Sequence, residues 1–222
     1  MLERFQPVDV AIDASHASFD AVGALLRERQ LGGRRVSFVI DDALVRLWQV
    51  SPPVNALRPA DLEAAAALRF QALYGEAPVL WRIAAAYDAV HPFMAAAMPQ
   101  ALLAAVLDAA AAAQVTVVAI CPRFIAAWNR HCRALAGDSW LAQVHDGVLT
   151  LGAGDGGRLA LVRAAPVPPD AGHAWLATHV AREAARLNRP APARLALCGA
   201  APRAWTTGAA APHCQLLAGS AA

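Results

Sequence analysis

Lysine is absent from these 222 residues, so all 19 basic side chains are arginine. A Walker A phosphate loop needs its lysine, a protein kinase needs one on a strand, and a Schiff base needs an amine. The absence excludes all three chemistries. It also fits a GC-rich coding sequence, since roughly a quarter of the chain is alanine. Excess charge is nearly absent too. A net +2 is too small to mark a nucleic-acid binder. The four cysteines, Cys121, Cys132, Cys198 and Cys214, show no C-x-x-C spacing, and the His131–Cys132 and His213–Cys214 neighbours supply no second short pair. Zinc sites gain from two ligands within one turn, so no metal centre is expected. No basic signal peptide opens the chain, and reduced thiols in the cytoplasm are the expectation. The most apolar window, Ala101–Ile120, contains Asp108 and Gln114 and reads as a helix followed by a strand rather than a membrane span.

Nucleophile and cofactor motifs are equally sparse. No G-x-S-x-G elbow occurs, and Gly137–Asp138–Ser139 follows a helical pattern rather than a strand. Ser15 and His16 are sequence neighbours, whereas triad members converge from separate segments. Gly152, Gly154 and Gly157 match the dinucleotide spacing, but a strand pattern follows where a helix must present its amides to pyrophosphate. They read as a hairpin loop.

What is present is ample core material, with 58% hydrophobic residues in a chain sized for two small lobes. Residues 34–53, RRVSFVIDDALVRLWQVSPP, hold two alternating runs around Asp41–Asp42, read as a β-hairpin that ends at Pro52–Pro53. Before it, Val8–Ile12 reads as a strand and Phe19–Gln30 as a helix capped by Ser15 or Ser18 and closed by Gly32–Gly33. After it come a helix at Pro59–Tyr74, strands at Val79–Tyr87 and His91–Met98, and an alanine-rich helix at Gln100–Gln114. Val115–Cys121, the most β-branched run, reads as a buried strand, and the helix Arg123–Leu135 ends at Gly137. Trp140–Val144, Val148–Leu151 and Arg158–Val167 then form an antiparallel meander whose first turn is Asp146–Gly147. A helix at Ala174–Leu187 and a short strand at Arg194–Cys198 follow, and the tail after Pro202 has no assignment. The mixture defines an α/β (mixed α+β) chain, with lobes at residues 1–137 and 138–222.

This order of elements resembles the actin-like assembly-platform proteins, PilM of type IV pilus machines and the cytoplasmic domain of GspL of type II secretion. The resemblance rests on the Gly-ended helix, RRVSFVIDDALVRLWQVSPP, the Pro59–Glu63 helix start with Phe70 and Tyr74–Gly75, the Trp81 strand, VTVVAICPRFIAAWN and the Trp140 meander. It covers roughly residues 8 to 200 and implies an actin-like (ribonuclease H-like) two-lobed fold, with mixed sheets flanked by helices. In that family a nucleotide, when bound, sits between glycine-containing hairpins, because backbone amides approach phosphate closely only where side chains are absent. This sequence departs from the pattern. Asp13–Ala14–Ser15 has no glycine and leads into a helix, Asp146–Gly147 is a tight turn, and only Gly199 follows the late strand.

The resemblance therefore implies a non-enzymatic cytoplasmic scaffold at the inner face of the inner membrane, with no resident cofactor or metal. Asp13, Asp146, Gly147 and Gly199 would be vestiges of a nucleotide site. The implied partner is the cytoplasmic tail of a membrane-anchored pilus or secretion protein, with a motor or ring subunit as a second partner and a homodimer left open. An extended or amphipathic tail would use exposed strand edges and apolar anchors, with Val45, Leu47, Trp48 and Trp81 as candidates; for Trp48 a place in the core is the competing reading. The alternative is an actin-like ATPase or small-molecule kinase binding ATP and magnesium, with Asp13, Asp146 and Asp155 as the carboxylates.

Overall fold

The computed structural model describes residues 6–56, 58–132, 138–208 and 210–217. It divides into two compact units, Met1–Ala126 and Ala127–Ala222. The expected lobe boundary after residue 137 and the expected helix stop at Gly137 fall outside the described residues.

In the first unit β1 (Val8–Ile12) leads through a 3-10 turn to α1 (Phe19–Glu28), and β2 (Arg35–Ile40) follows. Next come β3 (Arg46–Val50), α2 (Pro59–Tyr74), β4 (Trp81–Ala85), β5 (Phe93–Pro99), α3 (Gln100–Ala112) and β6 (Thr116–Pro122). β1, β2 and β6 form a parallel sheet in the order β1-β2-β6. Alternation in VDVAI and RVSFVI sends Val10, Ile12, Val36, Phe38 and Ile40 into one core. There they meet Val22, Leu25 and Leu26 of α1 and Leu102 and Val106 of α3. Ser18 starts α1 by accepting the Ala21 N–H.

The expected hairpin between residues 35 and 50 does not form. β2 is flanked on both sides by parallel neighbours, so it has no edge left for β3. A 3-10 turn at Asp42–Leu44, capped by Asp41, redirects the chain into a separate antiparallel sheet ordered β3-β5-β4. The physical reason lies in the split burial. Val45 still belongs to the first core, whereas Trp48 and Val50 bury against Leu62, Ala66 and Phe70 of α2. Ala95 and Ala97 on β5 are small enough to admit the large rings: Phe70 lies 5.3 Å from Trp48 and 5.4 Å from Trp81. β6 also departs from expectation. It ends its sheet among the described residues, and Thr116, Val118 and Ala119 are exposed. β-branching reported strand preference there, not burial.

α4 (Arg123–His131) precedes the second unit's strands. These are β7 (Trp140–His145), β8 (Val148–Asp155), β9 (Arg158–Pro166), β10 (Arg194–Gly199) and β11 (His213–Leu216), with α5 (His173–Arg186) before β10. One sheet holds all five, ordered β11-β10-β7-β8-β9. The β7–β8 turn has Asp146 at φ 46° and Gly147 at φ 72°, the paired left-handed geometry that Asp-Gly tolerates. The loop expected at 152–157 is shorter than read: Gly152–Asp155 stay in β8, and Gly156 and Gly157 alone make the turn. β11 takes a place in the tail, parallel to β10. Leu176, Val180 and Ala184 of α5 pack on Leu149, Leu151, Leu195 and Leu197.

The two units share a motif and differ beside its first strand. Parallel β1-β2-β6 corresponds in order to parallel β7-β10-β11. In the second unit, however, the β8–β9 meander occupies the other side of β7. In the first, β1 runs straight into the 3-10 turn Ala14–His16 and α1.

Candidate functional site

Parallel sheets place ligands at the carboxyl ends of their strands, so those ends are where a site belongs. In the first unit, β1 ends at Asp13. Its carboxylate accepts from Ser15 N–H at 2.8 Å and from the Ser15 hydroxyl, and it meets His16 Nδ1 at 2.9 Å. These contacts, led by the Ser15 hydroxyl, hold the Asp13 carboxyl below the usual carboxylate range. The trio is not a catalytic triad. His16 faces both Asp13 and Ser15 Oγ, the latter at 3.3 Å, through the same Nδ1, and a relay needs the two ring nitrogens on opposite partners.

β2 ends at Asp41–Asp42. The Asp41 N–H donates to the Ile12 carbonyl at 2.8 Å, which ties this end to β1. Both Asp42 carboxylate oxygens lie 3.1 Å from the backbone N–H of Phe124. Phe124 stands in the first turn of α4, where free amides and the helix dipole favour an anion. The chain's own carboxylate holds that position. Desolvation pushes the half-buried Asp42 carboxyl up to about 6, with Asp41 adding repulsion and the Phe124 amide and Arg123 opposing. Burial, with the Asp42 charge nearby, pushes the Cys121 thiol up to about 11, which removes thiolate character.

In the second unit the remaining nucleotide candidates have local duties. Asp146 and Gly147 make the tight β7–β8 turn, and the exposed Asp146 carboxylate lies 3.4 Å from His145 Nε2. Asp155 pairs with Arg189 at 2.7 Å, and the same guanidinium donates to the Gly154 carbonyl. Gly199 has φ 73°, and a Cβ there would stand 2.2 Å from the Val144 carbonyl oxygen. Its glycine is demanded by the β7–β10 approach, where Ala200 N–H bonds the same carbonyl.

The partner-binding candidates separate. Trp48 is 3% exposed and Val45 5%, in two different cores. Leu47 is half-buried, and its carbonyl accepts from the Tyr74 hydroxyl at 3.1 Å. Trp81 is half-exposed, with the Arg46 guanidinium 5.2 Å from its ring centre; Arg46 also pairs with Glu76. Sequence reasoning missed Asp42 as a helix cap and Arg46 as a ring-covering cation. Neither has a motif, because their partners lie 82 and 30 residues away.

The fold has relatives among solved structures. The chain is similar to the cytoplasmic domain of EpsL, an inner-membrane component of the type II secretion system of Vibrio cholerae. The TM-score is 0.60 and the identity 11%, over 96% of this chain and 86% of that one. It is similar to a chain of the PilM–PilN type IV pilus biogenesis complex, with a TM-score of 0.66 and 15% identity over 91% and 75% of the two chains. A Bacteroides thetaiotaomicron protein of actin-like ATPase fold and unknown function matches with a TM-score of 0.53 and 10% identity, over 83% and 68%. No protein-family model and no curated protein matches the chain. The chain therefore has the actin-like fold. The resemblance read from the order of elements holds at the level of fold. No helix among the described residues is long and apolar enough to cross a membrane.

Proposed function

We propose that this protein is a non-enzymatic scaffold of a type IV pilus or type II secretion-like assembly platform. It works at the cytoplasmic face of the inner membrane and binds the cytoplasmic tail of a membrane-anchored component. A motor or ring subunit is the second partner in this reading. The likeness to EpsL and to the PilM–PilN complex supports the assembly role. The observation that carries the non-enzymatic part is local to the first unit: β1 has no glycine hairpin after it, and Asp42 already accepts the first-turn amide of α4. That arrangement supports binding without a resident nucleotide or metal. The alternative, an actin-like ATPase with Asp13, Asp146 and Asp155 as magnesium carboxylates, is favoured by the fold class alone.

Titration calorimetry tests the reading. The titrant is a synthetic peptide of the cytoplasmic segment of the inner-membrane pilus or secretion protein encoded beside this one. Saturable binding in the absence of nucleotide is expected. No binding without ATP, with binding restored by Mg-ATP, would overturn the nucleotide-independent scaffold.

A further inference from the structure

We draw no further inference here: the strongest candidate, the exposed apolar surface of Leu68 and Leu73 on α2 with Val79 and Leu80 in the 3-10 turn that follows it, carries none, because nothing in the structure shows what covers it.

Discussion

Asp42 concentrates the residue-scale chemistry. A carboxyl raised to about 6 in the folded chain binds its proton more tightly than in the unfolded chain, whose value is near 3.8. The folded state then holds more protons between those values, so this residue's contribution to stability falls as pH rises from about 4 to about 6 and is flat above. Asp42→Asn keeps an oxygen for the Phe124 amide and removes the charge. It should stabilise the protein at neutral pH by on the order of 1 to 2 kcal/mol, because the site is part-exposed and screened. The gain should vanish near pH 4. Urea midpoints of the two proteins across that range check the sign, and a gain growing toward low pH would contradict it. Asp42→Ala leaves the α4 amide uncapped and should cost about 1 kcal/mol relative to Asp42→Asn. Gly199 is the other single-residue requirement. Gly199→Ala meets the Val144 carbonyl and a left-handed φ together and should cost more than about 2 kcal/mol in thermal or urea unfolding.

The elements show how residues of one sequence run part company. β2 and β3 are separated by one 3-10 turn, yet they serve different sheets and different cores. Trp48 belongs wholly to the β3-β5-β4 sheet, 5.3 Å from Phe70 and 6.1 Å from Tyr74. Truncating such a ring loses burial and leaves a cavity between β3 and α2. Trp48→Ala should therefore cost about 3–5 kcal/mol, read as a lowered urea midpoint with loss of near-ultraviolet dichroism. A Trp48→Ala protein of wild-type stability would take the residue out of the core and return it to the surface. Arg46 stands at the rim of the same aromatic group, over Tyr74 and Trp81 and beside Glu76. Arg46→Met keeps the stem and loses the charge, so a loss of under about 1 kcal/mol is expected at this partly exposed position.

For the whole molecule, the actin-like fold and the missing first-unit hairpin pull in opposite directions. Fold alone permits a nucleotide; in the first unit β1 runs straight into the 3-10 turn Ala14–His16, and Asp42 accepts the Phe124 amide. A ligand that binds only the native state at a hundred times its dissociation constant adds about 2.7 kcal/mol, a shift easily seen in a melt. Millimolar Mg-ATP should leave the melting temperature unchanged. A rise of several degrees, lost on Asp13→Ala or Asp146→Ala, would revive the ATPase alternative.

Local pattern in the sequence determined most of the strands and helices themselves, β11 in the tail excepted. Val10 and Ile12, or Leu176, Val180 and Ala184, repeat at spacings that only one backbone geometry can bury on one side. The Asp146–Gly147 turn was readable because two successive positive φ angles admit few residues. The order of such elements carried the fold as well. Pairing between distant segments is a different matter. That β2 lies between β1 and β6, that β3 turns away to meet β5, and that Asp42 caps a helix 82 residues on were decided only in the folded chain. Each depends on which partner fills an edge, a core or a free amide first. Alternation along a strand records which face is apolar but does not record which neighbour it meets.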